Sequence, residues 1–243
     1  MVSWFGHEGD ALARALGLPR VVAVRQVDST MDAAHAAAGE GAPAGTLIVA
    51  EEQRAGRGRS GKVWSSPARG GVWLTLIERP RDADGVEVLS LRIGVRLATV
   101  LERWTSAPIT LKWPNDLFVG GLKLAGVLVE ARWRQSRCDW VAIGLGVNLG
   151  HSALNAVATL GEADPSTVLA EVVPALRACA FATGPLRDDE LAAFAARDLA
   201  FGRELTHPAA GTARGIAATG ELLVETALGL TPFRGGSLVL AHT

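Results

Sequence analysis

The run Gly56-Arg57-Gly58-Arg59-Ser60-Gly61-Lys62 constrains this chain more than any other segment. It satisfies the dinucleotide fingerprint G-x-G-x-x-G and, read on to Lys62, most of the phosphate loop G-x-x-x-x-G-K. Both motifs work only where a helix starts at the loop and aims its N-terminus at the phosphates. Here VWSSPARGG (63–71) follows, with a proline and two glycines that stop a helix. Val63 also stands where a phosphate loop needs Ser or Thr for magnesium. A dinucleotide fold could recruit Glu78 as its ribose-binding acid, but no crossover helix fits before the next strand. A doubly wound nucleotide fold is therefore excluded. What remains is three cations, Arg57, Arg59 and Lys62, on a glycine-rich backbone that ends in Trp64. Arginine forks match carboxylate and phosphate oxygens, and a long loop inside a compact domain is usually functional. The loop is read as an anion-binding element.

Around it the hydrophobic pattern alternates between strand and helix. RVVAVRQV (20–27) and TLIVAEEQ (46–53) read as strands, separated by an alanine-rich helix that Asp28-Ser29-Thr30 introduce and Gly39 and Gly41 stop. GGVWLTLIE (70–78) is the next strand. Ile93, Leu97, Val100, Leu101 and Trp104 share one face of a helix over 88–104. ITLKWPNDLFVGG, LKLAGVLVEAR and CDWVAIGLGVN read as short strands, with Gly120-Gly121 turning a hairpin. Asp164-Pro165 and Asp188 each start a helix. From about residue 202 the chain becomes short strands punctuated by glycine, too small to be stable alone. In CDWVAIGLGVN, Val141, Ile143, Leu145 and Val147 point one way, and Ala142, Gly144, Gly146 and Asn148 the other. Glycine on a strand face marks close approach of a ligand or another backbone, so a small-residue floor for a flat ligand is expected, ending in Asn148.

Composition narrows the class. At 49% hydrophobic, 20% charged and net charge −1, the chain is globular and has no basic field for nucleic acid or an anionic membrane. Cys138 and Cys179 fall in no metal-binding or redox spacing and read as small buried hydrophobes, which fits a reducing cytoplasm. No signal peptide or membrane-spanning run is read.

GRGRSGKVWSSP resembles the glycine- and arginine-rich loop of biotin–protein ligases. Three further segments arrive in that family's order: Lys112-Trp113-Pro114-Asn115-Asp116, Lys123-Leu124-Ala125-Gly126-Val127-Leu128-Val129-Glu130 and Gly144-Leu145-Gly146-Val147-Asn148. The resemblance is dense over roughly 22–150. It implies an α+β fold: a mixed sheet flanked by helices, like a class II synthetase catalytic domain, over residues 1–200, then a small SH3-like β-barrel over 201–243. It implies a ligase that joins biotin to AMP using ATP and magnesium, then passes the biotinyl group to a lysine of the biotin carboxyl carrier domain of acyl-CoA carboxylases. The members of the family that it resembles put the biotin site at Ser29, Thr30, Gln53, Gly56, Arg57, Lys123 and Gly126. Arg59, Lys62, Trp64 and Asn148 fall to the adenylate, and Asp116 with Asn115 to magnesium. Catalytic work falls to Lys123, Arg57, Arg59 and Lys112, because an anionic nucleophile meeting a phosphate needs fixed positive charge. Lys123 is favoured for its predicted strand, which holds it more firmly than a loop. Met31 departs from the family's commonest Asn after Ser-Thr, and Lys62 from its usual arginine.

Each assignment competes with a plainer one. Ser29 with Asp32 also makes a weak capping box, Pro-Asn-Asp also makes a turn, Lys123 could be an exposed lysine on an edge strand, and a helix could fill the glycine floor. A lipoate–protein ligase shares the architecture and is the nearest alternative, which the basic loop and KWPND disfavour. About twenty residues precede the first catalytic strand, too few for a helix-turn-helix module, so a biotin-sensing repressor and specific DNA binding are not expected. A catalytically dead carrier-binding protein ranks last, since no motif looks lost. Edge strands of the central sheet admit a monomer or a homodimer.

Overall fold

The computed structural model describes residues 3–150 and 156–241. It begins with a two-residue hairpin, β1 (Ser3–Trp4) and β2 (His7–Glu8), and α1 (Gly9–Leu16), elements that the sequence reading left unassigned. There follow β3 (Arg20–Val27), α2 (Thr30–Gly39), β4 (Thr46–Gln53), β5 (Gly71–Glu78), α3 (Leu89–Leu101), β6 (Ile109–Lys112), β7 (Asp116–Val119), β8 (Leu122–Arg134) and β9 (Arg137–Asn148). After α4 (Pro165–Ala180) and α5 (Asp188–Ala195) come β10 (Glu204–His207), β11 (Gly211–Ile216), β12 (Leu222–Thr226), β13 (Gly229–Phe233) and β14 (Val239–Leu240).

Seven strands form one mixed sheet in the order β3-β4-β5-β9-β8-β7-β6, with only β3 and β4 parallel. The anticipated short strands β8 and β9 are a long hairpin of 13 and 12 residues. α3 and α4 cover one face, where Ile93, Leu97 and Leu101 of α3 are fully buried. Each such side chain contributes about 1.5–3 kcal/mol on leaving water. α2 covers the other face through Ala34 and Ala38, which pack on Ile48 and Ile77. Methyl side chains let that helix sit close, and it leaves the rest of the face open. The helix starts where Ser29 Oγ accepts from the Met31 and Asp32 amides, so the capping role is realised. α4 starts as expected, with Asp164 capping Thr167 and Pro165 in the first turn.

The last five strands form an antiparallel sheet, β13-β12-β11-β10-β14, consistent with the small barrel expected there. It is tied to the main sheet by Trp113 Nε1, which donates to Gly220 O at 2.9 Å. Just before that sheet begins, Leu199 N donates to Leu111 O of β6 at 2.9 Å. Cys138 and Cys179 are free and buried, as expected, and burial raises the Cys179 thiol to about 11. No helix among the described residues is long and apolar enough to cross a membrane. Glu78, the acid a dinucleotide fold would recruit for a ribose, is fully buried and paired with Arg177 Nε at 2.8 Å.

Candidate active site

Strand register builds the site. Residues paired across antiparallel strands share a face, and one transverse row reads Trp73 (β5), Gly146 (β9), Gly126 (β8), Asp116 (β7) and Lys112 (β6). The neighbouring row reads Ile48, Thr75, Gly144 and Leu128, and the next reaches Glu130 through Ile77 and Ala142. This face is the one that α2 only partly covers. The uncovered part is a cavity of about 290 Å³, walled by the start of α2, the loop after β4, the corner before β7 and residues 236–239 of the C-terminal sheet.

One end of the cavity is neutral and polar. The Thr30 amide and hydroxyl both donate to Gln53 Oε1, at 2.8 and 3.0 Å. Thr75 Oγ1 donates to Thr30 Oγ1 at 2.9 Å, and Gln53 Nε2 donates to Ser66 Oγ at 2.7 Å. Thr75 and Ser66 were missed by the sequence reading. Thr75 stands between Leu74 and Leu76 in a largely apolar strand, and only the register places it beside Thr30. Met31 lies with them, its methyl seated over Gly144 so closely that a Cβ there would be 2.9 Å away.

The other end is cationic. Lys123 Nζ lies 2.8 Å from Asp116 Oδ1, and β8 lies between β7 and β9, so the edge-strand reading of Lys123 fails. Lys112, Arg59 and Lys62 line the same cavity, and Asp116 is its only acid among the described residues. Burial depresses Lys112 below its ordinary pKa; Asp116 opposes this, while Lys123 and Lys62 add to it. Burial likewise lowers Arg59, again against Asp116. The cluster thus holds more positive charge than one carboxylate offsets, and an anionic ligand would relieve that repulsion.

The glycine floor is covered by the loop itself. A Cβ on Gly146 would lie 2.5 Å from Trp64 Cε2 and Nε1, and one on Gly126 2.9 Å from Trp64 Cζ3. The flat group resting on the floor is therefore the Trp64 indole, edge-on to Trp73 at 6.3 Å and 4.8 Å below Lys123 Nζ. Its Nε1–H is buried without an acceptor among the described residues, which costs about 1–3 kcal/mol and makes this seat easy to give up. The loop is also less irregular than its composition implies. It forms a 3₁₀ turn at Arg59–Gly61, and isolated bridges join Gln53 to Ser66 and Arg57 to Val63.

Arg57 lines the cavity but its fork is already engaged, and two other expected residues, Gly56 and Asn148, lie outside the lining. The Arg57 fork is taken up by Asp32 Oδ1 and Glu130 Oε1, each at 2.6 Å. Gly56 lies outside the lining and is a glycine for packing reasons, since a Cβ would be 2.3 Å from Trp64 O. Asn148 is buried on the same face of β9 as Gly146 but outside the lining, and it donates through Nδ2 to Lys123 O at 3.1 Å. Asn115 Nδ2 donates to Val127 O at 2.7 Å, beside the turn that its own amide closes on Lys112 O. Lys62 Nζ donates to Ser237 Oγ at 3.0 Å, so the C-terminal sheet contributes to this wall.

No group of three or more His, Cys, Asp or Glu able to hold a metal occurs among the described residues. Asp116 with Asn115 fits a magnesium ion only if ligand phosphates supply most of its oxygens, as such ions commonly require.

Fold and cavity together define an α+β small-molecule-binding domain whose pocket pairs a hydrogen-bonding end with a cationic end. The model of the biotin/lipoate A/B protein ligase family matches residues 23–148. The chain is 37% identical over 128 residues to the bifunctional ligase/repressor BirA of Bacillus spizizenii, covering 52% of this chain and 39% of that protein. It is 36% identical over 127 residues to the biotin–[acetyl-CoA-carboxylase] ligase of Paracoccus denitrificans, covering 51% of this chain and 52% of that one. The chain thus spans between about two fifths and one half of these relatives' length. The fold is similar to that of the biotin protein ligase from Aquifex aeolicus in complex with biotin and ATP, at TM-score 0.76 and 24% identity, covering 92% of this chain and 99% of that one. The chain belongs to the biotin/lipoate A/B protein ligase family.

Proposed function

We propose that this chain is an ATP-dependent biotin–protein ligase, with residues 1–200 as the catalytic unit and 201–243 as an accessory sheet that closes the cavity. The observation that carries this reading is the pairing, within one cavity, of the Thr30–Gln53–Thr75 network with the Lys123–Lys112–Arg59 cluster. Biotin has the matching form, a neutral ureido ring at one end and a carboxylate at the other. A site built to hydrogen-bond a ring rejects ligands that lack it, which disfavours lipoate.

In the first step a biotin carboxylate oxygen bonds to the α-phosphorus of ATP and the bond to the bridging oxygen breaks, releasing pyrophosphate. Lys123, fixed by β8 and held in place by Asp116, lies between the two anions and offsets their repulsion. Arg59, Lys62 and Lys112 take the polyphosphate. In the second step a neutral lysine amine of the acceptor bonds to the acyl carbon, AMP leaves, and the amine's proton passes to solvent. Magnesium, held by Asp116 and Asn115 with the phosphates, would neutralise phosphate charge. Trp64 leaves the floor when the adenylate enters and then covers it, excluding water. The acceptor is the biotin carboxyl carrier domain of an acyl-CoA carboxylase, and the enzyme works in the cytoplasm. The name of the Paracoccus relative supports that partner.

The test is pyrophosphate release with biotin and with lipoate, repeated for Lys123→Ala. Release is expected with biotin alone and is lost in the variant. Equal use of both acids, or of neither, overturns the reading.

A further inference from the structure

We infer that Asp32, His35 and Glu130 form a latch that holds the loop 54–67 shut through Arg57, and that all three are positioning residues for the adenylate site. Arg57 Nη1 lies 2.6 Å from Asp32 Oδ1, and Nη2 lies 2.6 Å from Glu130 Oε1. The second oxygen of Glu130 lies 2.9 Å from His35 Nε2. Trp140 Nε1 donates to His35 Nδ1 at 3.0 Å. An indole N–H can only donate, so Nδ1 is the acceptor, and the imidazole proton sits on Nε2 and goes to Glu130. One chain of bonds therefore runs from Trp140 through His35 and Glu130 to Arg57, with Asp32 closing it from the far side.

The clamp and its captive differ in rigidity. Asp32 and His35 lie one turn apart on α2, and Glu130 and Trp140 lie on the long hairpin at the centre of the sheet. Arg57 lies on the loop. The loop's own bonds carry its position onward: Gly58 N to Lys62 O at 2.7 Å and Trp64 N to Gly56 O at 2.8 Å. Releasing Arg57 thus loosens the seat of Trp64 over Gly126 and Gly146. The guanidinium presents a separate nitrogen to each of two carboxylates on separate elements, a fixed fork that a lysine's compact ammonium does not reproduce. The site's cations line the cavity; these three residues hold the lid from outside it.

Hydrogen–deuterium exchange of peptides spanning 54–67 in the ligand-free full chain tests the latch. A partly exposed ion pair shifts an opening equilibrium by up to about fivefold. The Asp32→Asn/Glu130→Gln double variant is expected to exchange there at least about fivefold faster, with exchange in β4 and β5 unchanged. Arg57→Lys reproduces that rise, and His35→Phe, which spares both carboxylates, gives a smaller one. In an Arg57→Ala background neither carboxylate change adds anything. The latch is overturned if the wild-type loop already exchanges as fast as the double variant, or if the carboxylate changes act equally without Arg57. Its consequence for catalysis rests on the ligase reading above: the double variant releases biotinyl-adenylate to free hydroxylamine several-fold faster than wild type. Exchange that changes as expected without any biotin-dependent chemistry would leave the latch standing and sink the ligase.

Discussion

Gly146→Ala separates a floor built for a ligand from a floor that merely seats an indole. The new methyl would lie 2.5 Å from Trp64 Cε2 and Nε1 and 2.7 Å from Cζ2, against 3.5–4.0 Å for an ordinary carbon contact. Something must move by about 1 Å. The strand cannot, because Gly146 is paired with Trp73 on one side and Gly126 on the other. The indole can, because it rides on a loop. Gly146 does not have a positive φ, so alanine suits its backbone, and the melting temperature is expected to stay within a few degrees of wild type. The cost falls on whatever lies on the floor. Overpacking a fitted site costs about 1–3 kcal/mol, which is roughly 5- to 150-fold in Kd. Calorimetric titration with biotin, and then with ATP in the presence of biotin, reads that loss. Adding Trp64→Ala removes the clash with the loop but leaves the methyl on the floor, so affinity stays weak. Wild-type affinity in Gly146→Ala, or its full recovery in the double variant, would refute the assignment of this floor to a ligand.

Two further outcomes concern buried and paired carboxylates. Burial raises the Glu78 pKa above its ordinary value and the Arg177 hydrogen bond lowers it, so Glu78 favours the folded state at low pH and loses that advantage as pH rises through its folded pKa. Arg177→Ala strands the charge at a cost of about 3–5 kcal/mol at neutral pH, and thermal melts should show the deficit shrinking from pH 7 to pH 5; a deficit that does not change with pH contradicts this. Glu102 moves the other way, held at about 2 by the Arg197 fork. Its contribution is present above the ordinary value of 4.5 and lost as pH falls towards 2. After screening it is about 1 kcal/mol, so wild type and Glu102→Gln should differ in stability at pH 6 and converge near pH 2.

The sequence carried most of the fold because its periodicities are local. Strands β3, β4 and β5 and the start of α4 fall where the apolar alternation and the Asp-Pro cap put them. α1 and the hairpin before it were illegible: a helix of eight residues exposes too little periodic pattern, and Trp4 is explained only by its bond to Ala50 O across the sheet. The candidate site divides in the same way. Which residue types gather near the loop could be read from motifs. The partner of each could not, because a transverse row such as Trp73–Gly146–Gly126–Asp116–Lys112 joins residues from five strands. Nothing in the order of residues says that the Arg57 fork meets Asp32 and Glu130, that Asn148 braces the Lys123 backbone, or that Trp64 fills its own floor. By itself the sequence determined the elements, the supply of cations and the rejection of a helix-borne phosphate site, since those follow from neighbours along the chain. Tertiary structure alone decided which charges are paired and which face the cavity, because pairing depends on strand register and on where the loop closes.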